Sequence, residues 1–163
     1  MNHFLVLDDE GYFSVNDIRL TDTTEGAAIM ESIRLESHRL TARWREHSVT
    51  IESFHSGLVA LEVERADGLQ WKAQFAYGFT QDFFLHTLRV DEWDRFHGMT
   101  SDGVPFVLSR AAQSEFFNSV DEFDDESVTV HGQKIQLHGI FLTDKTTISE
   151  PFWSDLYRRQ DTP

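Results

Sequence analysis

Residues 48–75 read SVTIESFHSGLVALEVERADGLQWKAQF, and apolar side chains recur at every second position through most of the stretch. That period belongs to strands with one buried face. The segment divides into SVTIES, LVALEVER and LQWKAQF at HSG (55–57) and ADG (66–68), two three-residue connections that each end in glycine. A three-residue hairpin loop puts its last residue in the left-handed region, which glycine tolerates at least cost. The pattern therefore predicts an antiparallel meander. Across the first turn Val49 faces Val63, Ile51 faces Leu61 and Ser53 faces Val59. Across the second, Val63 faces Trp71, Leu61 faces Ala73 and Val59 faces Phe75. Both turns put the same apolar set on one face, and a one-residue slip would break that agreement. The wet face then carries Thr50, Glu52, Glu62, Glu64, Lys72 and Gln74, with Glu62 opposite Lys72. RLTARWR (39–45) adds a fourth strand, so the meander spans about residues 39–76.

Weaker versions of the same signals lie outside it. FLVL and YFSV flank the polar turn DDEG, and SVTVHGQKIQL (127–137) folds on itself about Gly132-Gln133, with Val130 facing Ile135 and Val128 facing Leu137. FFLHTLRV and PFVLS are further strand candidates. Two stretches carry helical spacing instead. In TDTTEGAAIMESIRLE (21–36) the hydroxyls and carboxylates at 21–25 offer caps, and Gly26, Ile29, Met30 and Ile33 share a face. In SRAAQSEFFNSV (109–120) Ser109 is the cap, and Ala112, Phe116, Phe117 and Val120 form the apolar stripe. A short terminal helix is expected at SEPFW (149–153), with Pro151 in its first turn. No internal repeat or linker divides the chain. The expectation is one α+β domain over residues 1–163, mainly antiparallel sheet covered by two or three helices.

Composition narrows the function. The chain has 163 residues, 40% of them hydrophobic and 13% aromatic, enough apolar material for a folded core. A domain of that length buries roughly 70% of the surface its unfolded chain exposes. Against 28 Asp and Glu stand 14 Lys and Arg, giving a formal charge of −14. Such a surface repels phosphate backbones and anionic lipid, so neither nucleic acid nor membrane is an expected partner. It suits solubility or a basic protein partner. There is no Cys, which removes disulfides, thiolate catalysis and thiolate zinc sites. The amino-terminal MNHFLVLDDEG has no basic leader, and no apolar run is long enough to span a bilayer, so a cytoplasmic location is expected.

The densest charge is DEFDDE, residues 121–126, where Asp121, Glu122, Asp124, Asp125 and Glu126 occupy five of six positions. A calcium loop needs ligands at loop positions 1, 3, 5 and 12 and glycine at 6. Starting at Asp121 puts Phe123 at position 3 and Ser127 at 6; starting at Glu122 or Asp124 fails as well. The segment is therefore expected to be a solvated connector from helix to strand, able at most to dock a basic partner. The eight His, at 3, 38, 47, 55, 86, 97, 131 and 138, form no HExxH or other compact ligand pair, so no metal is assigned. Ser and His are both present without a GxSxG elbow, and the nine Gly are scattered through turns rather than gathered in a phosphate loop, so no cofactor is expected.

Several of these stretches, FLVLDDEGYFSVNDIRLTD, ESFHSG, ERADGLQWKAQF, DGVPFVLSRAAQSEFF and VTVHGQKIQL, occur in an order that resembles a family of uncharacterised proteins of bacteria and animal mitochondria. The resemblance implies no activity or ligand. It implies that some members carry Cys near FHSG, where this chain has none, and it makes Asp17, Asp67, Ser109 and Arg110 residues to test. Absence of a catalytic signature, together with the charge, favours a non-enzymatic binding domain acting through its acidic surface. The alternatives are a small-ligand-binding protein or hydrolase-type enzyme with a pocket on the sheet, and an acidic mimic of nucleic acid. A deep cavity with converging His and acidic side chains would favour the pocket.

Overall fold

The computed structural model describes residues 4–37, 39–55 and 57–139, and the structural statements below concern those residues. The chain opens with β1 (Phe4–Leu7), β2 (Phe13–Val15) and β3 (Ile18–Arg19), an antiparallel meander, and then enters α1 (Thr23–Ser32). A second meander follows: β4 (Arg34–Glu36), β5 (Arg39–Trp44) and β6 (His47–Ser53). Because β6 lies parallel beside β1, the six strands join in the order β3-β2-β1-β6-β5-β4. Asp22 caps α1 by accepting from the Glu25 N–H, and the helix buries Gly26, Ile29 and Met30. The connections at Asn16-Asp17 and Arg45-Glu46 have positive φ at both residues, the hairpin turn whose twist matches that of its strands.

Next come β7 (Leu58–Ala60), β8 (Glu62–Arg65), β9 (Gln70–Gln74), a 3₁₀ turn at Ala76–Gly78, β10 (Thr80–Phe84) and a second 3₁₀ turn at Leu85–Thr87. β8, β9 and β10 form an antiparallel sheet of their own. The rest of the described chain is β11 (Arg89–Val90), β12 (Phe96–Met99), β13 (Pro105–Leu108), α2 (Arg110–Ser119), β14 (Glu122–Phe123), β15 (Ser127–Val130), β16 (Gln133–Gln136) and β17 (His138–Gly139).

This last part repeats the topology of the first. β11, β12 and β13 form an antiparallel meander, a ten-residue helix follows, and β14, β15 and β16 form another. The chain then returns as β17, parallel to β11, as β6 returns to β1. The correspondence reaches single turns. His131-Gly132 stands where Arg45-Glu46 stands, again with both φ positive and one residue pair, Val130 and Gln133, closing the hairpin. Residues 4–53 and 89–139 are thus two copies of one architecture, and β7 to β10 lie between them in sequence. The repeat is faint in the sequence because what recurs along most of its length is hydrogen-bonding order, with few side chains in common.

The helices face the middle of the chain. Phe116 of α2 packs on Trp71 of β9 with ring centroids 5.1 Å apart, and Phe83, Phe106 and Phe75 continue the aromatic core. Tyr77 performs the matching task for α1. Its ring stacks on Phe13, its hydroxyl donates to the Leu20 carbonyl at 2.7 Å, and it accepts from the Phe13 N–H at 2.9 Å. Tyr77→Phe should therefore cost about 1–3 kcal/mol in urea denaturation, because a buried N–H loses its acceptor.

An α+β fold is present, but the long meander is corrected. β6 does not pair with the strand that follows HSG. Ile51 already has Leu40 on one side and Leu5 on the other, so β6 is a central strand with no free edge. The chain instead turns at Gly57, where any Cβ would collide with the Pro105 backbone, and β7 runs parallel to β13. The ADG hairpin does form, two residues out of the expected register. Val63 faces Ala73, Arg65 faces Trp71, and Glu64 rather than Glu62 lies opposite Lys72. The 127–137 hairpin is displaced in the same way, with Val128 opposite Ile135. A two-residue shift keeps every side chain on its face, so alternation alone does not resolve it. FFLHTLRV is broken by the second 3₁₀ turn, and SEPFW lies outside the described residues.

Candidate functional site

Two hairpin loops, 8–12 and 91–95, are built alike. In the first, Asp8 Oδ1 accepts from the Glu10 and Tyr12 N–H groups, and the Asp8 N–H donates to the Tyr12 carbonyl. In the second, Asp91 Oδ1 accepts from Trp93 at 2.8 Å and Arg95 at 2.9 Å, and the Asp91 N–H donates to the Arg95 carbonyl. Gly11 and Asp94 take the positive-φ position. The second carboxylate oxygens differ. Asp8 Oδ2 meets Arg19 at the surface. Asp91 Oδ2 is fully buried and accepts from Arg95 Nε at 2.8 Å and His97 Nε2 at 2.6 Å.

From there the network runs outward. Arg95 Nη1 donates to His55 Nδ1 at 2.8 Å, since a guanidinium has no acceptor. His55 is then neutral with its proton on Nε2, which points to the Asp9 carbonyl at 3.3 Å. The remaining guanidinium nitrogen, Arg95 Nη2, is buried and has no hydrogen-bond acceptor among the described residues. Burial lowers the His55 pKa, and Arg95 beside it lowers it further. Burial likewise lowers that of His97, against the pull of Asp91. For Asp91 burial acts upward, but hydrogen bonds from His97 and from the Arg95 and Trp93 backbone outweigh it and hold the carboxyl well below its ordinary range.

These shifts share a sign. Each lowered His stays neutral in the fold while the unfolded chain takes up a proton near pH 6.5, so stability is fully present above that pH and declines below it. Denaturation midpoints measured in urea should fall from pH 7.5 to pH 5.5, and His97→Gln should shallow the slope. An unchanged slope would place the titration elsewhere.

Arg95 lies in the wall of a cleft of ≈ 510 Å³, within the range of small-molecule sites. Asp9 comes from the first repeat, His55 from the segment between β6 and β7, Trp93 and Asp94 from the 91–95 loop, and Ser109, Arg110 and Gln113 from the start of α2. Val59, Val107 and Leu108, all buried, form its apolar side. The repeat explains the cleft's position. In the first copy Tyr77 fills the space bounded by Tyr12, Leu20 and Gly26. By loop position, strand pairing and helix position the corresponding residues are Arg95, Leu108 and Gln113, and all three line the cleft. One copy is plugged by the chain itself and the other is open. A second hollow, ≈ 760 Å³ and wide open, lies along the first sheet beside Asp17, Arg39 and Glu52, with no buried charge in it.

Of the residues singled out in the sequence, Ser109 and Arg110 line the cleft. Ser109 is also the α2 cap: its Oγ accepts from the Ala112 N–H at 3.1 Å and lies 3.4 Å from the Leu61 carbonyl. Ser109→Ala should cost about 1 kcal/mol, read as a lower denaturation midpoint. Asp17 belongs to the β2–β3 turn and Asp67 to the β8–β9 loop, where its carbonyl accepts from Gln70. The acidic stretch is exposed throughout. Asp121 accepts from Arg65 and the His131 N–H, and Asp124 from the Glu126 and Ser127 N–H groups. Substituting either by Ala should lower the melting temperature, whereas Ala at Glu122, Asp125 or Glu126 should leave it unchanged. Among the described residues no three His, Asp or Glu are grouped to hold a metal.

No protein-family model and no curated protein matches this sequence. Solved structures do match. A DUF1285 family protein from Shewanella baltica OS155 superposes with a TM-score of 0.58 at 12% identity, covering 70% of this chain and 90% of that one. Another, from Silicibacter pomeroyi DSS-3, gives 0.60 at 12% identity, covering 85% and 84%. The chain shares its fold with these bacterial proteins. At that identity the likeness concerns architecture alone. No described helix is long and apolar enough to cross a membrane.

Proposed function

We propose that this chain is a non-enzymatic, single-domain binding protein that holds a small molecule in the open cleft of its second repeat. The observation that carries the reading is Arg95. Its Nε and Nη1 are fixed by Asp91 and His55, the residue lines the cleft, and its Nη2 is buried with no acceptor among the described residues. A buried donor left unmade costs about 1–3 kcal/mol, which an incoming oxygen atom would recover. Binding rather than catalysis fits the other groups: the Ser109 hydroxyl serves the helix cap, and His97 is turned to Asp91 in the interior. The acidic surface then contributes solubility and repels polyanions, as its charge dictates.

The test is a thermal-shift screen of small organic acids, bases and zwitterions against the protein. A ligand at about 100 times its Kd should stabilise the fold by about 2.7 kcal/mol. Trp93→Ala and Arg110→Ala, both at the rim, should abolish the shift while leaving the ligand-free melting temperature near that of the wild type. If no compound shifts the protein, or the shift survives both variants, the cleft is not the site.

A further inference from the structure

We infer that the ligand is a zwitterion, an α-amino acid with an apolar side chain; this deepens the reading of the cleft and rests on it. The charges around the cleft decide the class. Arg95 and Arg110 line it, but so do Asp9 and Asp94, and the Arg95 guanidinium is already paired with Asp91. A phosphate dianion would meet no net positive field there. A simple carboxylate would leave two acidic neighbours unmatched. Among the described residues the Asp9 and Asp94 carboxylates make no hydrogen bond or ion pair of their own, and Arg110 makes none either. The cleft therefore presents cationic donors and unpaired carboxylates together, the arrangement that a molecule carrying both charges satisfies.

The position of each group sorts the ligand's parts. A ligand carboxylate takes Arg110 and the Arg95 guanidinium, beside the amino-terminal end of α2, where the helix dipole favours negative charge. An ammonium group takes Asp94 and Asp9. The side chain lies on Val59, Val107, Leu108 and the half-buried Phe117, a wall with no polar side chain. The plugged copy limits the shape. In the first repeat the aromatic ring of Tyr77 is admitted only because Gly26 has no Cβ. Gln113 occupies that helix position in the second repeat, and its amide donates to the Asp94 carbonyl at 3.2 Å. A ring seated as Tyr77 is seated would collide with Gln113, so a branched aliphatic side chain fits the site better than an aromatic one.

Calorimetric titration separates the outcomes, using L-leucine, L-phenylalanine, N-acetyl-L-leucine, L-leucinamide, 4-methylpentanoate and inorganic phosphate as probes. Leucine should bind, with phenylalanine weaker. Removing the ammonium (N-acetyl-leucine, 4-methylpentanoate) or the carboxylate (leucinamide) should each weaken binding by about tenfold or more, the scale of one lost charge contact. Asp94→Asn keeps a residue that accepts positive φ; it should weaken leucine binding and leave that of 4-methylpentanoate unchanged or stronger. If 4-methylpentanoate binds as tightly as leucine, or phosphate binds most tightly, the zwitterion is wrong while the cleft remains a site. If none of the six gives heat, the amino-acid proposal falls. The cleft itself then stands or falls by the broader screen and its rim variants.

Discussion

Asp91→Ala should cost this fold about 3–5 kcal/mol, a large share of the stability of a domain this size. The side chain is fully buried and accepts four hydrogen bonds, from the Trp93 and Arg95 backbone and from Arg95 Nε and His97 Nε2. Removing it leaves the Arg95 charge partly buried with no counter-ion and two loop N–H groups without acceptors. Asp91→Asn should cost less, since an amide oxygen can still serve the backbone while its NH₂ opposes Arg95 or His97. The order Ala, Asn, wild type in urea midpoints is the expected outcome. Equal loss for both variants would mean that charge, not hydrogen-bond count, holds the loop. The surface counterpart supplies a control. Asp8 makes the same two loop bonds, but its outer oxygen meets Arg19 at an exposed site, so Asp8→Ala should cost clearly less than Asp91→Ala.

That comparison also shows what could be read before the fold was known. LDDEGYF (7–13) and VDEWDRF (90–96) share an acidic pair after an apolar residue and a Phe five positions beyond the first Asp. Set side by side they give the two stapled loops, and the second contains Asp91 and Arg95. Neither residue stands out alone, because a search for compact catalytic spacing ignores carboxylates that bond to their own backbone. Strand and helix positions were legible, since alternation and helical spacing report burial and burial is local. Partners were not. The face of Ile51 is written in its neighbours, but whether it pairs with Leu61 or sits between Leu40 and Leu5 depends on which edges the rest of the chain leaves free. The two-residue register shifts have the same origin, because both registers bury the same side chains. Ser109 was legible as a cap and so came near the cleft, whereas DEFDDE drew attention through charge density, which reports solvent more often than chemistry.

Gly26→Ala should destabilise the protein by about 3 kcal/mol, at the upper end of the usual cost of overpacking. Alanine is the better helix former, so in an exposed helix the change would gain about 1 kcal/mol. Here the added Cβ would fall on the Tyr77 ring, closer than real Cβ atoms approach any neighbour. The ring has little room to retreat. It is stacked on Phe13, edge-on to Tyr12, and tied through its hydroxyl to Leu20 and Phe13. Tyr77 also has φ of 64°, so its backbone is already held in an uncommon conformation. Relief must come from moving α1 away from the 3₁₀ turn, which would loosen the first repeat against the middle of the chain. The double variant Gly26→Ala with Tyr77→Ala tests the account. If the clash is the cause, the second substitution should cost far less in the Gly26→Ala background than in the wild type, a coupling that additive effects would not produce. Additive losses would mean that the glycine serves the helix itself. In the second repeat Gln113 holds the equivalent helix position without a plug to collide with, so Gln113→Ala should leave stability nearly unchanged and instead open the cleft beside Asp94. The two copies thus make opposite predictions at matched positions, and the difference between them is the empty space in which a ligand would sit.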